Sequence, residues 1–253
     1  EIDGDVYKSI TIKQDTPLVP ADSKELRPHR LAVGLYDIKG DSLQLRKSVE
    51  LDVAGAATVV ADLAGEKVAD LLLINDRDLS YAKLRFDDRS IATLKTHLGK
   101  FDDALARALC WASIWDMHRD AEISSSDFIE IALNGLAGET DDAIVNIVLM
   151  QLNTSVEAYA KDSNRAAYRE KLANGLWALT QNSAPGSDLQ LLISRAFAIN
   201  AQTPEQTAKI RELLNGGAPG LKVDTDLRWY FLIALTERGA TTKAELDAEL
   251  AKD

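Results

Sequence analysis

Residues 71–88 read Leu-Leu-Leu-Ile-Asn-Asp-Arg-Asp-Leu-Ser-Tyr-Ala-Lys-Leu-Arg-Phe-Asp-Asp, and the chain changes character within this stretch. The apolar run at its start is short and bounded by polar residues, which is typical of a strand buried on both faces. From Tyr81 to Phe86 apolar and polar residues alternate, as they do in a half-buried strand. Beyond Asp87 the apolar spacing becomes helical, and Asp87 or Asp88 is placed to cap a helix. The stretch therefore predicts a change from strands to helices.

The part of the chain before this stretch contains short segments with the spacing of strands, separated by turn residues. Together with the two strands predicted within residues 71–88, the predicted strands cover residues 6–14, 29–38, 43–53, 57–60, 71–74 and 81–86. A single apolar face interrupted only at Lys47 is predicted for the 43–53 strand, and it consists of Leu43, Leu45, Val49, Leu51 and Val53.

Proline and glycine mark the connections between these strands. Prolines at positions 17, 20 and 28 predict a loop over residues 17–30, with a short turn at 22–26. Gly40 predicts a hairpin turn because glycine tolerates a positive φ. Since no helical crossover separates the strands, they predict a small antiparallel β-sandwich over residues 1–87.

Residues 88–253 consist of amphipathic helical segments joined by short connections, without a fixed repeat period. Residue types that cap helices well precede several of them, namely Ser124, Thr140, Thr203 and Thr242. Helices in series bury one apolar stripe each more easily by stacking than around one axis, which favours a superhelix over a bundle. The predicted fold class is α+β and multidomain, in which the β-sandwich is followed by an all-α superhelix of antiparallel helical hairpins.

Composition limits the partners and the compartment. Forty acidic and 29 basic side chains give a net charge of −11, which would repel a phosphate backbone and argues against nucleic acid. Cys110, the only cysteine, excludes an intrachain disulfide and is predicted to be a small buried side chain. No apolar run approaches the roughly 18 residues of a membrane span, so a soluble chain without a membrane partner is expected. Because a strand pattern follows at once on a first residue other than Met, the chain is expected to have been cut from a longer one.

The three histidines, His29, His97 and His118, do not form a zinc-protease motif. Such a helix needs two imidazoles four residues apart and a glutamate that activates the metal-bound water. No pair of histidines here has that spacing, and none is followed by glutamate. His97 and His118 lie near predicted helix ends and are interpreted as structural.

Three other patterns are interpreted without a catalytic or binding role. The adjacent aspartates at 87–88, 102–103 and 141–142 fall at helix starts and are predicted to cap helices instead of forming acid–base pairs. Residues 75–78, Asn-Asp-Arg-Asp, lack the glycine and the terminal glutamate of a calcium loop. Residues 153–155 fit the glycosylation pattern but lie on a predicted helix in a chain without a secretory signal.

Several stretches of the sequence resemble segments of a known protein family. Residues 81–87, Tyr-Ala-Lys-Leu-Arg-Phe-Asp, preceded by Asn75, resemble the Tyr-Tyr-Arg-Val-Asn-Tyr-Asp strand that closes the β-sandwich of the aminopeptidase N family of zinc metallopeptidases. The bacterial branch, whose C-terminal region is similar to that of the endoplasmic-reticulum aminopeptidases, is resembled by residues 26–37, 75–83, 105–111, 115–120 and 226–229. The stretches follow the order of the family, so the resemblance covers essentially the whole chain.

The resemblance implies that this chain is the C-terminal part of a larger enzyme. Residues 1–87 would be its β-sandwich and residues 88–253 its helical bowl. The family's H-E-x-x-H zinc motif, its third glutamate ligand and its G-x-M-E-N loop, which holds the free amine of the substrate, belong to the missing domains. The intact protein would be a zinc-dependent aminopeptidase that removes N-terminal residues from peptides by attack of a metal-activated water. This part alone would hold no zinc and no catalytic residue, and would be inactive.

By the same resemblance, the bowl closes over the active site, shapes the peptide chamber and offers basic side chains to the C-terminal portion of the peptide. Arg228, Arg195 and Arg107 lie on predicted helices of the bowl and are the candidate substrate contacts. The implied partners are the N-terminal and catalytic domains of the same chain and the peptide, and the implied location is cytoplasmic. Two alternatives stay open, a freestanding helical-repeat protein-binding module with a concave binding face and an enzyme of a new type.

Overall fold

The computed structural model describes residues 1–16, 22 and 24–253 of the chain. The described part is α+β, as predicted, with short antiparallel strands followed by helices. Its strands are β1 (Ile2–Asp3), β2 (Val6–Tyr7), β3 (Thr11–Lys13), β4 (His29–Lys39), β5 (Ser42–Val53), β6 (Ala57–Val59) and β7 (Leu71–Ile74). Its helices are α1 (Asp88–His97), α2 (Ala104–Arg119), α3 (Ser125–Leu136), α4 (Asp142–Thr154), α5 (Asp162–Asn182), α6 (Asp188–Asn200), α7 (Pro204–Leu214), α8 (Thr225–Glu237) and α9 (Lys243–Leu250). Within these described ranges, no helix is both long and apolar enough to cross a membrane.

The chain forms two compact units, Glu1–Asp120 and Ala121–Asp253. The first unit holds β1 to β7 together with α1 and α2, and the second holds α3 to α9. The predicted boundary at residues 87 and 88 coincides with the change from strands to helices. As a boundary between domains it stays a prediction.

The strands of the first unit form three antiparallel sheets. β4 lies between β5 and β7, β3 pairs with β6, and β1 pairs with β2. One face of β4 contributes to a core that includes Tyr7, Ile12, Leu31, Val33 and Leu35. On its other face Tyr36 contacts Phe101, with the ring centroids 5.2 Å apart. Both faces of β4 are therefore buried. Each fully buried apolar side chain of the strand stabilises the folded state by about 1.5–3 kcal/mol.

The predicted single apolar face of β5 is wrong, because the strand contains a β-bulge. Leu35 of β4 pairs with Lys47, and the next pair joins Tyr36 to Leu45. Arg46 is left as the extra residue between them. Residues before the bulge therefore turn to the opposite face of the sheet. On that face Leu45 is 46% exposed and Leu43 is buried, whereas apolar residues after the bulge pack against the core.

The predicted strand over residues 81–86 is also wrong. These residues pair with no strand in the described part of the chain. Leu84 and Phe86 are nevertheless buried, and the backbone N–H of Phe86 contacts the Met117 sulfur of α2 at 3.5 Å. The alternation in the sequence therefore reflects burial against a helix instead of pairing in a sheet.

The bounds of the remaining strands and of the predicted loop differ in detail. The predicted strand 6–14 is divided into β2 and β3, and the predicted strand 57–60 ends at Val59. Residues 17–21 and 23 of the predicted loop lie outside the described residues; Asp22 is in a turn and β4 begins at His29. Gly40 has a φ of 63° in the turn between β4 and β5, as predicted.

The aspartate pairs cap helices, as predicted. Asp87, Asp103 and Asp141 are the N-cap residues of α1, α2 and α4, and each carboxylate accepts backbone N–H groups of the first turn. The predicted cap at Thr140 is wrong, because Asp141 occupies the N-cap position of α4. An N-cap of this kind contributes about 1 kcal/mol, since the N–H groups of a first turn have no partner within the helix.

The other predicted helix starts are confirmed. The Ser124 hydroxyl accepts the backbone N–H of Asp127 at the start of α3. Thr203 and Thr242 form capping boxes at the starts of α7 and α9. These starts are predictable because a cap depends on residues only three apart in the sequence.

The helices of the second unit pack in a regular order. Neighbours along the chain pair as α3 with α4, α5 with α6 and α7 with α8. Alternate helices also pack, as α3 with α5, α4 with α6 and α6 with α8. Stacked helical hairpins produce such an order and place α4, α6 and α8 in one layer, here called the α4–α6–α8 layer. The superhelix itself stays a prediction.

Candidate functional site

The α4–α6–α8 layer exposes large apolar side chains to solvent. Ile147 and Met150 of α4, Ile199 of α6 and Ile233 of α8 are 49, 62, 51 and 56% exposed. In Ala121–Asp253, which the structure describes throughout, Tyr159 and Leu250 are the other large apolar residues exposed to this degree. The four residues of the layer are here called the apolar face. Contiguous exposed apolar patches mark binding surfaces, and these four side chains on neighbouring helices make the layer a candidate for one.

The helices outside this layer differ in what they expose. α3, α5 and α7 carry none of the large exposed apolar residues of Ala121–Asp253, a range without undescribed positions. Their exposed positions are mainly charged or carry amides, among them Glu130, Asn134, Glu170, Lys171 and Glu212. Among α3 to α8, exposure of large apolar side chains is therefore confined to the α4–α6–α8 layer.

Arg195 of α6 lies beside this face. Its guanidinium carbon is 5.5 Å from the centre of the Tyr230 ring of α8. Its Nε is buried, and no hydrogen bond or ion pair joins the side chain to another residue in the described part of the chain. Burial raises the pKa of Tyr230, so the phenol stays neutral beside the cation. The arginine is therefore held by a cation–π contact and not by an ion pair with a residue that the structure describes.

Arg228, the second predicted contact, is engaged within the protein. Its Nε and Nη2 donate to the two carboxylate oxygens of Glu249 at 2.5 and 2.7 Å. Glu249 is only 5% exposed, and the hydrogen bonds from Arg228 lower its pKa to about 2. This bidentate pair fixes α9 against α8.

Arg107, the third predicted contact, lies in the first unit on α2. It is 6% exposed, and its Nη1 donates to the backbone oxygen of Phe101 at 3.0 Å. Of the three predicted arginines, Arg195 is thus the one that has a cation–π contact and no hydrogen bond or ion pair within the described part of the chain. Contact with substrate stays a prediction for all three.

The polar turn after β7 is held in place by hydrogen bonds of its Asn75 and Asp76 side chains. The Asn75 side chain donates to the Ser80 oxygen at 2.7 Å and accepts the Ser80 N–H at 3.1 Å. The Asp76 carboxylate is buried and accepts hydrogen bonds from Tyr36 and from the Ser48 hydroxyl. Both side chains are thus hydrogen-bonded within the protein, so neither is available to bind a calcium ion.

His97, His118 and Cys110 lie on the helices α1 and α2. His97 ends α1, and its Nδ1 lies 2.8 Å from the Thr96 hydroxyl. His118 is buried near the end of α2, with its ring 5.7 Å from that of Trp115. Cys110 is fully buried, as predicted. In the residues that the structure describes, no three His, Cys, Asp or Glu side chains are grouped so that they could hold a metal ion.

The apolar face is absent from the sequence-based prediction. α4 buries Val145, Val148 and Leu152 along one stripe and carries Ile147 and Met150 outside it. An amphipathic helix needs only one stripe, so apolar residues on a second side are the available signal. The signal becomes informative only when α4, α6 and α8 are known to be neighbours.

Comparison with known proteins agrees with the resemblance found in the sequence. The family model described as "ERAP1-like C-terminal domain" matches residues 71–253. A protein of Streptomyces lividans named "Aminopeptidase N" is 42% identical over 260 residues, an alignment that covers 100% of this chain and 30% of that protein. The chain therefore spans less than a third of the length of this relative. The chain belongs to the family of the ERAP1-like C-terminal domain, and the family predicted from its sequence is confirmed.

Proposed function

We propose that the chain is the non-catalytic C-terminal part of a zinc-dependent aminopeptidase that removes N-terminal residues from peptides. The match to the family and the 42% identity to a protein named Aminopeptidase N support this proposal. Because the chain covers 30% of that protein, we assign the metal and the catalytic residues to the upstream domains of the intact protein. Those domains and the peptide are the proposed partners, and the proposed location is the cytoplasm.

The proposed role of this part is to close over the active site and to shape the peptide chamber. One observation carries it, the exposed apolar face of the α4–α6–α8 layer. A wall of this kind gains free energy by covering apolar groups of a bound peptide, at about 25 cal/mol per Å² removed from water. The first 87 residues, as the proposed sandwich domain, would connect this wall to the catalytic domain.

Arg195 is the proposed polar contact on this wall. Its guanidinium lies against the Tyr230 ring and not against a carboxylate, so it can donate hydrogen bonds to a carboxylate or carbonyl group of the peptide without first breaking an ion pair. Arg228 and Arg107 would act indirectly, through the position of α9 and of the segment around Phe101.

The runner-up function is a freestanding helical-repeat module that binds a protein partner. The apolar face favours it as well, because the same exposed side chains would suit a protein surface. In the first proposal the upstream region contributes the zinc ion and the catalytic residues, and in the second it contributes neither.

Peptide hydrolysis by the intact protein and by the 253-residue chain tests the proposal. Both are supplied with zinc and a fluorogenic aminoacyl substrate. The proposal expects turnover by the intact protein and none by the chain. Turnover by the chain alone would contradict the non-catalytic role, and inactivity of the intact protein would favour the binding module.

A further inference from the structure

A cleft of about 480 Å³ opens in the second unit, where α4 and α6 end. It is lined by Asn153, Glu157, Arg169, Ile199, Asn200 and Gln202. Its volume falls in the range of about 300–1,000 Å³ that is usual for ligand sites. None of these residues is among the contacts assigned above except Ile199, which belongs to the apolar face.

The cleft continues the apolar face. Asn153 follows Met150 by three residues on α4, so the two side chains lie on the same side of that helix. Ile199 lies four residues after Arg195 on α6 and lines the cleft itself. A chain extended along the face would therefore pass from exposed apolar groups to the amides of the cleft.

A π-helical turn shapes one wall. Residues Ser155–Tyr159 follow α4 directly, and the backbone N–H of Ala160 bonds to the oxygen of Ser155, five residues earlier, at 2.9 Å. The wider turn places Glu157 at the cleft. Such turns are uncommon and occur often at functional sites.

Three side-chain amides supply hydrogen-bonding groups. Asn200 is only 7% exposed, and its Nδ2 donates to the oxygen of Ala196 at 2.9 Å, which fixes the side chain. The side chains of Asn153 and Gln202 make no hydrogen bond to any residue that the structure describes. Each amide presents two donors and an acceptor, the same groups that a peptide bond needs as partners.

The charges in the cleft cancel. Arg169 forms a two-point ion pair with Glu157, in which Nε donates to Oε1 at 2.6 Å and Nη2 donates to Oε2. Hydrogen bonding to Arg169 lowers the pKa of Glu157, so the pair stays ionised at neutral pH. A guanidinium already paired in this way has little attraction for a free carboxylate. The cleft is therefore suited to a neutral ligand.

We propose that this cleft binds the main chain of the peptide substrate, with Asn153, Asn200 and Gln202 as partners of its peptide groups. This inference rests on the proposed function of the chain as a wall of the peptide chamber. Recognition of the main chain is independent of side-chain identity, which suits an enzyme that must hold peptides of many sequences. The ligand class is the neutral peptide group and not the terminal carboxylate.

The test uses the intact protein with Asn153 and Gln202 both changed to Ala. The substrates are a long peptide, the same peptide with a C-terminal amide, and a fluorogenic single-residue substrate. The matched control changes Asn164 and Gln181 to Ala, two exposed amide residues of α5 that do not line the cleft. The inference predicts that the cleft variant raises KM about tenfold for both long peptides, as expected for the loss of one or two hydrogen bonds, and leaves the single-residue substrate unchanged.

Three results would overturn the inference. These are an unchanged KM for the long peptides, an equal rise for the single-residue substrate, and a rise that disappears when the peptide carries a C-terminal amide. An Ile233→Asn variant measured in parallel separates the two proposals. If it raises KM for long peptides while the cleft variant does not, the inference fails and the proposed function stands. If neither variant changes KM, the proposed role of the apolar face as a wall of the peptide chamber fails as well.

Discussion

The hydroxyl of Tyr36 donates a hydrogen bond to the carboxylate of Asp76, forty residues further along the chain. Tyr36 lies on the central strand β4, and Asp76 lies in the turn that follows β7. Both side chains are buried, and Ser48 donates a second hydrogen bond to the same carboxylate at 3.2 Å. This pair fixes the turn at which the chain leaves the sheet.

Removal of the Tyr36 hydroxyl is expected to destabilise the protein. A Tyr36→Phe variant leaves the buried carboxylate one donor short, and the free energy of unfolding should fall by about 1–3 kcal/mol. Urea denaturation followed by circular dichroism measures the change. Tyr81→Phe is the matched control, because Tyr81 is fully exposed and its hydroxyl should contribute nothing measurable. Equal midpoints for the two variants would show that the hydrogen bond does not stabilise the fold.

A methyl group at Gly34 is expected to disturb the same contact. A Cβ there would lie 2.7 Å from the carboxyl carbon of Asp76 and 2.8 Å from the Tyr36 ring, closer than atoms can approach. Gly34→Ala should therefore reduce the free energy of unfolding by about 1–3 kcal/mol, the usual effect of overpacking. The same urea titration measures it, and an unchanged midpoint would mean that the turn can move aside without cost.

The Arg228–Glu249 pair predicts how stability depends on pH. The pKa of Glu249 in the folded protein is about 2, below the ordinary value of 4.5. The folded state therefore binds this proton less readily than the unfolded state, so the stabilisation is complete above pH 4.5 and is lost as pH falls towards 2. The midpoint of thermal unfolding should fall more steeply over that range in the wild type than in a Glu249→Gln variant.

Glu170→Gln supplies the control for this prediction, because Glu170 is exposed on α5. It should follow the wild-type curve, whereas the Glu249→Gln curve should start lower and converge with the wild type at acid pH. Parallel curves for all three proteins would mean that the Arg228–Glu249 pair does not couple stability to pH.

Arg195 is expected to affect peptide binding more than stability. An Arg195→Gln variant of the intact protein should raise KM for a long peptide about tenfold, because a hydrogen bond to a charged group is lost. The effect should shrink for a peptide with a C-terminal amide if the guanidinium meets the terminal carboxylate. Lys209→Gln is the control, since Lys209 of α7 lies over the Trp177 ring at 5.2 Å in a second cation–π pair. A rise of the same size in both variants would argue against a specific role for Arg195.

Local features of the fold could be predicted from the sequence, and distant contacts could not. Caps such as Asp87 and Thr203 depend on a few neighbouring residues, so their spacing identifies them. The bulge at Arg46 leaves the alternation of apolar residues in β5 interrupted only at Lys47, and its effect appears only when β5 is paired with β4. The alternation of residues 81–86 has the period of a strand, although the burial comes from α2.

The candidate site was harder to predict for the same reason. The helical spacing of the sequence predicts that these arginines lie on helices, but it does not identify their partners. Only the fold reveals that Arg228 is held by Glu249, twenty-one residues away, whereas Arg195 contacts the Tyr230 ring and no carboxylate of the described residues. The apolar face likewise combines residues of α4, α6 and α8, which come together only through packing. Family resemblance supplied the assignment of function that residue patterns alone did not.

The central claim is that the apolar face of the α4–α6–α8 layer lines the peptide chamber of an aminopeptidase. The most direct test is kcat/KM of the intact protein for a long peptide relative to a single-residue substrate, in Ile233→Asn and in Leu250→Asn as the matched control. Both residues are exposed, but Leu250 lies on α9, outside the face. The ratio should fall about tenfold in Ile233→Asn, which corresponds to about 1.4 kcal/mol, and should be unchanged in Leu250→Asn. A wild-type ratio in Ile233→Asn would contradict the claim.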